Sequence, residues 1–139
     1  MIFKTLFMLL LTLLLLPGCK DMTRGKGMAE TAIVEFHQKF NESKYQELYA
    51  AAHADLKAVA TEEQFVKLLE KVYTKLGAQT KSTSEGWRVF SANSKTTVHV
   101  SVRTEFEKGE GVETFSYLVS GKSCTLVNYN IKSREMTEK

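Results

Sequence analysis

The sequence predicts an α+β domain, three N-terminal helices packed on a curved four-stranded antiparallel sheet. Three observations carry this expectation. Apolar residues recur at helical spacing from Met28 to Leu76, the period changes to two after Gly77, and turn residues then punctuate the chain at hairpin intervals. Helices gathered ahead of a run of strands are left to cover one face of the sheet.

Lys4 supplies a positive charge, Leu6 to Leu16 form an apolar run broken only by Thr12, and Pro17-Gly18-Cys19 follows. Such a run is too short to span a bilayer, which takes about 20 apolar residues. Charged start, short apolar middle and a small residue before the cut are the parts of an export signal, here residues 1–18, and that segment stands outside any fold argument. Leu16-Pro17-Gly18-Cys19 resembles the lipobox of bacterial lipoproteins. The resemblance implies cleavage before Cys19 and acylation of its thiol. In those lipoproteins an Asp after the cysteine favours the inner membrane, and Lys20 in that place points to the periplasmic face of the outer one. Residues 19–27, polar with two glycines and with Lys20, Arg24 and Lys26 all basic, read as a lipidated flexible tether whose cations rest on anionic headgroups.

One domain is expected over residues 28–133. In its first helix Ala29, Ala32, Ile33, Phe36 and Phe40 fall on one face, and Asn41 ends it. Ser43-Lys44-Tyr45-Gln46 reads as a capping box for a second, short helix with Tyr45, Leu48, Tyr49 and Ala52 as its stripe. Thr61-Glu62-Glu63-Gln64 repeats the box, the two acids suit the positive end of the helix dipole, and Phe65, Leu68, Leu69, Val72 and Leu76 form the third buried face. Gly77 is placed to stop this helix in the left-handed conformation.

Turn signals at Asn93, at Lys108 to Gly111 and at Gly121 divide the remainder into a four-stranded meander, and residues 134–139 read as a polar tail. Val98, Val100, Val102 and Phe106 alternate with His99, Ser101, Arg103 and Glu105, giving one dry and one wet face. A four-residue loop between Glu107 and Val112 pairs Phe106 with Glu113, Val102 with Tyr117 and Val100 with Val119. Glu113, Phe115, Tyr117 and Val119 then share the dry face, with Glu113 its lone carboxyl. A buried acid needs partners and marks a candidate site; alternatively Glu113 sits near the hairpin end and reaches water.

The stretch Asn41 to Tyr49, the helix ending Lys75-Leu76-Gly77, the strand pair around Phe106 and Glu113-Thr114-Phe115, and the closing Val127-Asn128-Tyr129-Asn130-Ile131 resemble a family of small bacterial secreted domains of unknown function. Those domains are similar to the nuclear-transport-factor-2-like fold, a cone in which a curved sheet wraps around helices. The resemblance implies the fold only, because such cones host isomerases, hydrolases, ligand carriers and interaction modules.

Composition narrows the function. Removal of the 18-residue signal leaves 121 residues, and the formal charge falls from +3 to +2 with Lys4, its basic residues scattered, which speaks against nucleic acid. With Cys19 lipidated, Cys124 is left alone and no internal disulfide can form. His37, His53 and His99 lack metal spacing, and no cofactor is expected. His37 reads as a surface residue of helix one, His53 as a cation near the end of helix two, and Cys124 as a small buried hydrophobe rather than the nucleophile of a pair with His99. Trp87 and the tyrosines read as core or as pocket lining.

Two classes of function remain. One is a noncatalytic envelope module that binds a partner protein or an apolar small ligand, an immunity or inhibitor lipoprotein included. The other is a small enzyme or ligand carrier with a pocket formed by Glu113, Phe115, Tyr117 and Tyr129 and with His99 as a further candidate. A filled cone favours the first and an open pocket the second.

Overall fold

The computed structural model describes the backbone of residues 18–138 and the side chains of residues 22–138; the expected signal segment, apart from Gly18, and the Cys19 side chain lie outside the described residues. The chain is α+β, with helices α1 (Gly18–Asn41), α2 (Tyr45–Ala50), α3 (Ala54–Val59) and α4 (Glu62–Leu76) ahead of strands β1 (Gln79–Ala92), β2 (Lys95–Phe106), β3 (Gly109–Ser120) and β4 (Ser123–Lys132), and a closing turn of helix, α5 (Arg134–Thr137). The strands form an open antiparallel sheet in the order β1-β2-β3-β4.

Four helices precede the sheet where three were expected. His53 opens the extra one, its Nδ1 accepting from the Asp55 N–H at 3.1 Å. It therefore caps the start of α3 rather than charging the end of the helix before. Ser43 does not open α2 either. It takes φ +59° just beyond α1, where the Lys44 N–H bonds the Lys39 carbonyl at 2.9 Å and the Ser43 N–H bonds the Phe40 carbonyl at 3.0 Å. That is the left-handed closure of a helix C-terminus, so the residue read as a cap ends one helix instead of starting the next. The capping box of α4 does form: Gln64 N–H donates to Thr61 Oγ1 and Thr61 N–H to Gln64 Oε1. Gly77 follows with φ +79°, and a Cβ there would meet Glu107 at 2.8 Å.

The stretch read as a flexible tether is the first part of α1. Gly25 is buried under the helix, where an added Cβ would lie 3.2 Å from Val98, while Arg24 donates to the Gly121 carbonyl at 2.8 Å. The glycine brings helix and sheet close, and the arginine pins them. At the other end of α1, Asn41 bonds both backbone groups of Gln79, at 2.8 and 3.0 Å. The expected polar tail is likewise ordered as α5, with Met136 packed on the core and Lys75 donating to the Glu138 carbonyl.

The hairpin between β2 and β3 is tighter than the glycines suggested. Its turn is Glu107-Lys108, held where Glu107 N–H bonds the Ala78 carbonyl and Lys108 N–H bonds the Leu76 carbonyl. Phe106 therefore pairs with Gly109, Val102 with Glu113, Val100 with Phe115 and Val98 with Tyr117. This register differs from the expected one by four residues in the pairing sum. Four is even, so every side chain keeps the face it was assigned. The core lies between that face and the helices, formed by Ile33, Phe36 and Phe40 of α1, Phe65, Leu69, Val72 and Leu76 of α4, and the inward residues of β2 to β4.

The two glycines of α1 should respond oppositely to substitution. Gly25→Leu forces a side chain into Val98 and is expected to cost about 1–3 kcal/mol. Gly27 has open space around its Cα, so Gly27→Ala is expected to stabilise the helix by up to about 1 kcal/mol. Urea unfolding of the two variants measures both, and a Gly25→Leu variant as stable as the parent would contradict the close approach.

Candidate functional site

The inner face carries Val98, Val100, Val102 and Phe106 and, with them, two buried polar side chains, Thr104 and Glu113. Glu113 is 1% exposed, so it does not reach water at the hairpin end. Its carboxylate is saturated instead. Oε1 accepts from the Tyr129 hydroxyl at 2.7 Å, and Oε2 accepts from Thr104 Oγ1 at 2.6 Å and faces His37 Nε2 at 2.6 Å. Sheet geometry explains the first two contacts, because Thr104 and Tyr129 lie diagonally across from Glu113 on neighbouring strands, within reach of long side chains.

His37 comes down from α1 and is 4% exposed, not the surface residue its neighbours in sequence suggested. Ile33 and Phe40, one turn before and after it, are both buried, which places position 37 at the margin of the apolar stripe. The ring meets Phe36 and Phe115 edge-on, at 5.9 and 5.8 Å between centroids. Its other nitrogen, Nδ1, lies 3.5 Å from Ser82 Oγ, which also meets Thr104 Oγ1 at 3.3 Å and accepts from Gln79 Nε2 at 3.1 Å. Thr104 gives its one proton to Glu113, while the Ser82 hydroxyl can turn to donate to Nδ1 or to accept from it, so the chain of groups is satisfiable with one proton or two on the imidazole. Among the described residues no buried side-chain polar atom lacks a partner.

The expected pocket of Glu113, Phe115, Tyr117 and Tyr129 is not a pocket. Glu113 and Phe115 are 1% and 0% exposed, and Phe36 packs against Phe115 and Tyr129 at 5.0 and 4.9 Å between ring centroids. Tyr117 alone borders a cleft, of about 90 Å³, which it shares with Ala32, Phe36, Leu48, Cys124 and Leu126. Burial, then the nearby Cys124 and Glu113, hold the Tyr117 phenol well above its usual range. Burial, helped by the Glu35 carboxylate, pushes the Cys124 thiol up to about 11. Such a thiol is a poor nucleophile at neutral pH.

His99 lies on the opposite face of the sheet from Glu113 and Cys124, with its Nδ1 2.6 Å from Ser116 Oγ and its ring 5.4 Å from that of Phe90. Partial burial, then the Arg88 charge, lower its pKa. Neither Glu113 nor Cys124 can work with it. Among the described residues no group of three His, Cys, Asp or Glu side chains could hold a metal ion. No model of a known protein family matches the chain, and no curated protein matches it.

Two outcomes test the network. Glu113→Leu takes the acceptor from Tyr129, Thr104 and His37, and His37→Leu takes one partner from Glu113; each is expected to cost about 1–3 kcal/mol. The double variant should cost less than their sum, by a coupling on the order of 1 kcal/mol or more. Denaturant unfolding of the four proteins gives the coupling, and additive losses would mean that the two side chains act separately. The second outcome is set by the tyrosines. Burial first, then the Glu113 carboxylate, hold the Tyr129 phenol well above its ordinary value, as burial holds that of Tyr117. A raised folded pKa gives stability that is complete below the unfolded value of about 10 and lost as pH rises beyond it. Tyrosinate absorbance should therefore show Tyr117 and Tyr129 ionising only with unfolding, and Tyr129→Phe should remove one of these two steps.

Proposed function

We propose that this chain is a lipid-anchored protein of the bacterial cell envelope whose domain is a noncatalytic binding or interaction module built on a nuclear-transport-factor-2-like cone. The saturated carboxylate of Glu113 carries the noncatalytic reading. An acid or base needs a face turned to substrate, and both oxygens of the one carboxyl on the inner face are occupied by Tyr129, Thr104 and His37. The other candidate groups, His99 and Cys124, lie on opposite sides of the sheet. The cone reading is supported by helices gathered on one face of a four-stranded meander and by register shifts at Gln79/Lys81, Ser84/Gly86 and Ser116/Tyr117, which bend strands. The partner is read as a protein or a small apolar ligand. The surface available to it comprises the cleft beside Tyr117 and the outer face of the sheet around Phe90.

The anchor reading rests on Leu16-Pro17-Gly18-Cys19, and Lys20 favours the outer membrane. No helix among the described residues is long and apolar enough to cross a membrane. Cys19→Ala is expected to abolish incorporation of labelled palmitate and to leave the chain uncleaved or soluble. A Cys19→Ala protein that is processed and still membrane-bound would overturn the anchor.

A further inference from the structure

Three parts of the fold meet at one end of the domain: the first turns of α1, the β1–β2 turn at Asn93-Ser94, and the β3–β4 turn at Gly121-Lys122. Arg24 joins the first to the third by its bond to the Gly121 carbonyl. Lys26 of α1 lies 5.7 Å over the Trp87 ring of β1. Met22, Trp87 and Phe90, three of the five exposed large apolar side chains among the described residues, belong to this end, at 44%, 40% and 54% exposure. Trp87 and Phe90 point to opposite faces of β1, so both are presented along the outer margin of the sheet.

The same end is basic. No Asp or Glu occurs from Gly86 to Thr104 or from Thr114 to Arg134, whereas Arg88, Lys95 and Lys122 fall within those stretches. Lys95 and Lys122 make no ion pair among the described residues, and Arg88 lies 5.9 Å over the Phe90 ring. Of the acids of α1 on this side, Glu30 is spoken for by Lys26 at 2.9 Å, and Glu35 lines a cleft with Arg24 and Lys122. Elsewhere on the sheet the cation Arg103 is paired, with Glu85 and Glu110.

Exposed aromatics interleaved with unpaired cations suit the headgroup layer of a bilayer, where amphipathic rings and phosphates lie at one depth. We propose that this end of the domain rests on an anionic phospholipid surface, with Trp87 and Phe90 at headgroup level and Arg88, Lys95 and Lys122 on phosphates. The proposal deepens the anchored reading, since Cys19 lies one turn before Met22 at this same end. An anchor followed by a flexible tether would let the domain tumble. A continuous α1 pinned by Arg24 fixes which end meets the lipid.

Trp87 is the only tryptophan of the chain and reports the contact directly. The full chain, purified from membranes with its lipid in place, is reconstituted into vesicles of phosphatidylcholine alone or mixed with phosphatidylglycerol, each with brominated phosphatidylcholine as quencher. The expected result is flotation with both vesicles, and a blue shift and quenching of Trp87 only where phosphatidylglycerol is present. Each removed cation should weaken the contact about fivefold. The triple variant Arg88→Glu, Lys95→Glu, Lys122→Glu, checked for an unchanged melt, should still float but leave Trp87 unquenched. A chain that floats with Trp87 unquenched, or equally quenched in both vesicles or in the triple variant, overturns this surface and leaves the anchor standing. A parent chain that does not float overturns the anchor and the surface together.

Discussion

A carboxylate placed in an apolar interior constrains the rest of this domain. Charge moved out of water is expensive unless its lone pairs are taken up, and Glu113 has them taken up by three elements at once: Thr104 of β2, Tyr129 of β4 and His37 of α1. The consequence is positional. Apolar packing between α1 and the sheet tolerates small slides of the helix along its axis, because one methyl group serves nearly as well as another. A contact of 2.6 Å from His37 to Glu113 tolerates very little, so it sets the height of α1 over the sheet. With that height fixed, Gly25 falls against Val98 and Asn41 falls against the backbone of Gln79.

The same constraint explains why the interior is closed. In a domain whose inner sheet face is left wet, a carboxyl and a tyrosine facing each other across neighbouring strands can serve a ligand. Here Phe36 fills the space above Tyr129 and Phe115, and the imidazole fills the space above the carboxylate. The polar groups that a ligand might have met are satisfied by the protein. The cleft beside Tyr117 and the basic, aromatic end near the start of α1 lie on its outside.

Much of this was legible in the sequence where one residue's pattern decides one outcome. Alternation along Val98, Val100 and Val102 assigned faces correctly even though the turn was placed two residues too late, because a shift of four in pairing leaves parity unchanged. Glu113 was visible for the same reason, as an acid on the dry side. Its partner was not. His37 lies between Ile33 and Phe40 at the margin of a stripe, and period alone gives a margin residue no depth. Ser43 suits a helix start by composition, yet the chain there must first leave α1, and backbone closure took precedence. Gly25 and Gly27 look like linker residues by type. Only the nearness of Val98 separates a glycine that admits a neighbour from one that merely bends easily.

β1 and β4 are the two margins of the sheet. Along β4 the margin of the sheet is occupied in part, where the Leu126 carbonyl takes a bond from the His53 N–H at the start of α3. β1, which runs from Gln79 to Ala92, is covered at Gln79 by Asn41, and among the described residues the rest of its margin has no such bond and is long enough to template a foreign strand and so to seed aggregation. Its two register shifts, at Gln79/Lys81 and Ser84/Gly86, break that length, and Lys81, Glu85 and Arg88 place charge along it. The straight stretch that remains is Gly86 to Ala92, the one holding Trp87 and Phe90. If lipid covers that stretch, the contact that orients the domain also shields its most adhesive margin from other copies of itself, so that detachment and self-association become linked hazards.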